Sequence, residues 1–402
     1  MEMVAPEEVG FSSERLQRVN SLMQGYVDSG RLAGTVTLLA RKGQVFHFER
    51  RGVAEVQSGR PMDLDTIFRI YSMTKPITSV AVMMLHEEGN FHLDDPVSRF
   101  IPELDGLKVC TGMGQTGPTL VDQQTPITIR HLLTHTAGLS YGFSQDTPVD
   151  EMYRQAAVTS PEGTLKDMIG KLGQLPLAYH PGAQWRYSVA TDVLGYLVEV
   201  ISGRPFDRFL RERIFEPLGI EDTSFHVPEH KLDRLASVYG PGGEGGIQEL
   251  DTPGLNSFKR PHAMFSGGGG LVGTASDYFR FCQMMLDGGA LNGTRLLAPK
   301  TVELMTMNHL PDALLPFSVS AALADGAKGC GFGLGFRVVT DLARHGILGS
   351  KGMYSWGGAA STVFWIDPGE ELIAILMTQF MPSGQHPIRR EFQVATYQAL
   401  VE

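Results

Sequence analysis

The chain has 402 residues, of which 42% are hydrophobic and 19% charged, and a formal net charge of -10. That is too apolar for a disordered chain and long enough for one large core carrying an inserted lobe. Without clustered Lys and Arg the acidic balance excludes a nucleic-acid surface, and the longest apolar runs fall short of the roughly 20 residues that a membrane span needs.

Taken in chain order, apolar residues at helical spacing predict a helix over 12–27. Two strands follow, over 35–40 and 45–50, around the turn Arg41-Lys42-Gly43. A helix then starts near Ser72. From 92 to 262 the pattern becomes short helical pieces broken by Pro and Gly, with a loop-like stretch over 111–124. Beyond Gly267, a helix over 277–286 is capped by Ser276 or Thr274. The segments 354–365 and 371–379 read as paired strands around Asp367-Pro368-Gly369, and a last helix covers 387–401. Strands at both ends with helices between them give an α+β expectation. An antiparallel sheet is built from 1–91 and 263–402, a mostly helical lobe from 92–262 is inserted, and the active site lies in the cleft between them.

Cys110, Cys282 and Cys330 are far apart with no C-x-x-C pair, so they are expected as small buried hydrophobes. The acidic N-terminal stretch has no apolar core of a secretory signal, which makes the cytoplasm the expected location. Nothing calls for a metal or other cofactor.

Ser72-Met73-Thr74-Lys75 spells S-x-x-K, followed at once by Pro76. Proline is tolerated only in the first turn of a helix, so the helix begins around Ser72 to Thr74 and places Ser72 at the positive end of its dipole. Residues three apart share a helix face, which brings the Lys75 amine within reach of the Ser72 hydroxyl. A serine becomes a nucleophile when a neighbour takes its proton. The alternative is an N-cap serine with a solvated lysine.

Three other motifs compete. Gly138-Leu139-Ser140-Tyr141-Gly142 is a literal G-x-S-x-G, but a nucleophile elbow needs a strand before it and a helix after it. Here a helical pattern over 127–136 precedes and a polar loop follows, so Gly138 reads as a helix C-cap. Gly268-Gly269-Gly270-Leu271-Val272-Gly273 fits G-x-G-x-x-G without the preceding strand, and reads as a close-packing glycine loop. His131 and His135 are spaced i,i+4 but lack the glutamate of H-E-x-x-H.

A proton taken from Ser72 must reach a leaving group, so a second acid/base is expected. Tyr187 heads a helical pattern after the Pro181-Gly182 turn and is the candidate, with an aromatic core residue as the alternative. The ordered set of Ser72-Met73-Thr74-Lys75, the 127–139 segment, Pro181-Gly182 before Tyr187-Ser188, and Gly268-Gly269-Gly270-Leu271 resembles the serine β-lactamase superfamily of class C type. Trp356-Gly357-Gly358 replaces the Lys-Thr-Gly motif, which is most similar to the family VIII carboxylesterases. The resemblance implies Ser72 as acylated nucleophile, Lys75 as its activating partner and Tyr187 as general base and then acid. Which of Lys75 and Tyr187 takes the first proton stays open. It also implies an oxyanion hole formed by the Ser72 and Ala359 N–H groups.

Trp356 cannot pair with a carboxylate, and Val189, two positions after Tyr187, cannot hydrogen-bond an acylamino group. With Gly357 and Gly358 they are the expected substrate-binding residues. The expected substrate is a neutral, short-acyl ester, a small molecule, with the oligomeric state open. An acyltransferase, a β-lactam or D-Ala-D-Ala hydrolase, and a silent binding module on the same fold are the alternatives.

Overall fold

A computed structural model describes residues 2–115, 117–317 and 327–402. Its frame is a sheet of eight strands: β1 (Gly34–Arg41), β2 (Gln44–Glu55), β3 (Arg60–Pro61), β4 (Cys330–Phe332), β5 (Arg337–Val339), β6 (Tyr354–Gly357), β7 (Val363–Asp367) and β8 (Leu372–Met377). They run in the order β4-β5-β6-β7-β8-β1-β2-β3 with every neighbour antiparallel. The junction between the two chain ends is the β1–β8 ladder, with Leu38 opposite Ile375. An α+β fold with a sheet made from both termini is therefore what the chain adopts.

Strand periodicity divides the core in two. Val36, Leu38 and Ala40 of β1 and Ile373, Ile375 and Met377 of β8 face the larger core, with helices α2 (Thr74–Glu87), α3 (Ala190–Ser202) and α4 (Ala275–Leu286). Leu39, Leu372, Ala374 and Leu376 point the other way, toward α1 (Ser13–Asp28) and α5 (Ile388–Tyr397). Both faces are covered, so the central strands read as continuous apolar runs. Every residue from Thr74 to Leu85 of α2 is buried, the polar Thr74, Lys75, Thr78 and Ser79 among them. Thr274, not Ser276, caps α4 by accepting the Asp277 N–H at 3.1 Å.

Two segments differ from expectation. The 111–124 stretch is a β-hairpin, Lys108–Gly114 paired with Gly117–Asp122, not a loop; Thr116 lies outside the described residues. Both faces of its outer half are exposed, so it carries no apolar alternation to betray it. The 354–365 stretch is two strands, β6 and β7, turned back on each other with Trp356 opposite Phe364. Among the described residues no helix is long and apolar enough to cross a membrane.

Candidate active site

Ser72 sits in a single 3-10 turn, Tyr71–Met73, that runs straight into α2. Tyr71 has φ +43°, a region that costs a non-glycine residue energy and makes the sharp turn from the short strand Phe68–Arg69 into the helix. Pro76 occupies the first turn of α2, where its missing N–H is harmless. Lys75 is then one turn along, 2% exposed.

The Lys75 ammonium has three N–H groups and three acceptors: Ser72 Oγ at 3.2 Å, the Tyr141 hydroxyl at 2.9 Å and the Gly268 carbonyl at 2.6 Å. It also lies 4.4 Å from the centre of the Tyr187 ring. The Tyr187 hydroxyl donates to Ser72 Oγ at 2.6 Å. Ser72, Lys75 and Tyr187 thus meet although Tyr187 is 115 positions away.

The glycine loop after Ser266 packs tightly where a dinucleotide loop would need open space. A Cβ on Gly268 would stand 2.5 Å from Asp192 Oδ2 and 2.6 Å from the Tyr141 hydroxyl. Asp192, on the first turn of α3, anchors the loop by accepting from Ser266 Oγ and, at 3.0 Å, from Gly268 N–H. Burial raises its carboxyl above the usual range, and the Lys75 charge opposes that rise. Burial and then the charge of Asp192 push the Tyr141 phenol far up, which keeps it a neutral hydroxyl.

A cavity of about 610 Å³ opens from Ser72 and Tyr187. Phe143, Phe317 and Trp356 give it apolar walls, and Gly357, Gly358 and Ala359 form one edge. Both glycines are required by packing: a Cβ at Gly358 would lie 2.5 Å from the Ile70 carbonyl, and one at Gly357 would lie 2.9 Å from the guanidinium carbon of Arg389. Among the described residues the Ala359 N–H donates to no other group. Arg337, Arg389 and Arg390 also border the cavity, so the loss of a cation at Trp356 does not leave it uncharged.

Val189 is the misplaced expectation. It is fully buried at the N-cap of α3 and does not border the cavity, because the chain turns inward immediately after Tyr187. Ser140 is also buried and serves structure. Its hydroxyl donates to Asp150, while the Gly142 N–H and Arg186 Nε donate to it at 3.1 and 3.3 Å. Burial alone would push the Asp150 carboxyl up, but the bonds from Ser140 and Arg186 bring it down to about 2. Gly138 is not the C-cap of the preceding helix, Ile129–Leu133, which ends at Thr134. It has φ +81° and leaves no room for a Cβ, which would fall 2.1 Å from the Tyr179 carbonyl.

Sequence patterning does not single out Tyr141, Asp192 or Arg389. Tyr141 lies inside the G-x-S-x-G motif, next to Ser140. Asp192 is five residues after Tyr187, on the face of α3 that a helical wheel turns inward.

A family model described as Beta-lactamase matches residues 19–398. Protein Rv1367c of Mycobacterium tuberculosis (strain ATCC 25618 / H37Rv) is 37% identical over 88% of this chain and 88% of its own length. Esterase EstB of Burkholderia gladioli is 30% identical over 91% of each chain. Among solved structures, EstCE1, described as a hydrolase with promiscuous acyltransferase activity, superposes with a TM-score of 0.81 at 28% identity, covering 96% of this chain and 99% of its own.

Proposed function

The chain belongs to the Beta-lactamase family, and from that membership we propose that it is a serine carboxylesterase working through an acyl-enzyme on Ser72. The observation that carries this reading is the Ser72 Oγ held between Tyr187 and Lys75 at the base of an open cavity. In this reading Lys75, held by the Gly268 carbonyl and the Tyr141 hydroxyl and 3.2 Å from Ser72 Oγ, positions the nucleophile. Tyr187, whose hydroxyl is 2.6 Å from Ser72 Oγ, then takes the Ser72 proton in this reading.

Ser72 Oγ bonds to the acyl carbon as the C=O π bond opens, and the carbonyl oxygen becomes an oxyanion held by the Ser72 and Ala359 N–H groups. A donor of this kind contributes about 3 kcal/mol to the transition state. The C–O bond to the alcohol then breaks as Tyr187 returns the proton to the leaving oxygen. Water enters by the same path in reverse, loses its proton to Tyr187 and releases the acid. The aromatic walls favour apolar acyl groups.

Hydrolysis of p-nitrophenyl acetate by the wild type and by Ser72→Ala and Ser140→Ala tests the nucleophile. Turnover must vanish in the first variant and survive in the second; activity retained by Ser72→Ala would end this reading. The promiscuous acyltransferase activity of EstCE1 keeps acyl transfer as a second reading, in which an alcohol replaces water. Dominant ester exchange at modest concentrations of a competing alcohol would establish it over hydrolysis.

A further inference from the structure

Arg389, on the first turn of α5, is a cation that feels the like charge of Arg337, with no carboxylate paired to it among the described residues. Burial, and then the charge of Arg337, lower it to about 10. A half-buried cation without a counter-charge carries a desolvation cost, which points to a role other than stability. Its Nε is buried and donates to nothing, while Nη2 donates to two main-chain carbonyls, Gly358 O and, at 2.8 Å, Thr362 O. Those carbonyls bracket the turn between β6 and β7, which the Gly358 N–H closes on Thr362 O at 3.0 Å.

Gly358 C=O and Ala359 N–H belong to one planar trans peptide, so they point in opposite directions. Whatever fixes the carbonyl fixes the N–H. We propose that Arg389 is a positioning residue for the oxyanion donor: its guanidinium orients the Gly358–Ala359 peptide and polarises it. A charge-assisted bond to the carbonyl oxygen draws electrons along the amide and strengthens the N–H at its other end. The bare Gly357 backbone fits the arrangement, since a side chain there would run into the guanidinium. The inference rests on the reading of Ser72 as nucleophile and Ala359 as donor.

The test compares wild type with Arg389→Lys and Arg389→Met on p-nitrophenyl acetate, and measures the affinity of an arylboronic acid that forms a tetrahedral adduct with Ser72. In both variants kcat falls roughly 10- to 100-fold with KM nearly unchanged, since only a transition-state contact is weakened. Boronate affinity falls in parallel, while that of the product acid does not. Millimolar guanidinium ion partly restores Arg389→Met and leaves the wild type unaffected, a response that a merely misfolded variant cannot give. Unchanged kcat and boronate affinity overturn the proposal, as does a rise in KM alone, which would make Arg389 a substrate contact. Failure of the underlying reading shows separately, as wild-type turnover that does not depend on Ser72.

Discussion

The Lys75 ammonium and the Gly268 carbonyl oxygen lie 2.6 Å apart, inside a loop that Asp192 holds through Ser266 and the Gly268 N–H. A carbonyl accepts and never donates, so one Lys75 N–H is engaged in holding this loop, and the proposed mechanism gives the Ser72 proton to Tyr187. In Tyr187→Phe the hydroxyl 2.6 Å from Ser72 Oγ is gone. Loss of a positioned acid/base predicts a kcat drop of roughly 10²–10⁴-fold with little change in KM. Single-turnover acylation measures it; an acylation rate within a few-fold of wild type would return the base role to Lys75.

Tyr141→Phe tests the other hydroxyl on Lys75. It leaves one ammonium N–H buried without its 2.9 Å acceptor, at a cost of about 1–3 kcal/mol. Part of that appears as a kcat about 10-fold lower and part as a lower melting temperature. A variant with wild-type kcat would show that Tyr141 only fills space.

Ser140→Ala separates the two serines by the opposite signature. Ser140 supports the Arg186–Asp150 pair, whose Nη2 and Oδ1 are 2.7 Å apart, and its hydroxyl touches no group of the Ser72 site. Stability falls by about 1–3 kcal/mol, read by denaturant unfolding, while kcat stays within about twofold of wild type.

What the sequence made legible follows the range of the interactions. Ser72 and Lys75 are three apart on one helix, and Pro76 marks where that helix starts, so their meeting is a local matter. Tyr187 is a candidate from its place at the head of a helical pattern, but its contact with Ser72 spans 115 positions, and the resemblance to a family is what supplies its role. Arg389 lies 31 positions after Gly358 on an amphipathic helix, where one arginine among several looks like a solvated face. The hairpin at Lys108–Asp122 is illegible because its outer half is exposed on both faces and shows no apolar alternation, and spacing along the chain does not show the inward turn that buries Val189.

Buried histidines give the fold a pH dependence whose sign is fixed. His47 is packed inside the sheet against Thr37 Oγ1 at 2.7 Å, and burial, then the charge of Arg51, lower it from 6.5 to about 4. Below pH 6.5 the unfolded chain binds a proton there that the folded chain refuses, so stability is fully present above 6.5 and is lost as pH falls toward 4. His345, also lowered to about 4 by burial and then Arg337, adds in the same direction. Burial raises Asp192 and Asp277, which titrate the opposite way, so the total slope is a mixture. The difference between wild type and His47→Gln removes that mixture. Gln keeps a polar partner for Thr37 and does not titrate, so wild type loses stability relative to the variant by about 1.4 kcal/mol per pH unit within the window. Unfolding by urea at pH 7 and pH 5 measures it, and parallel losses in the two proteins would show that His47 is protonated equally in both states.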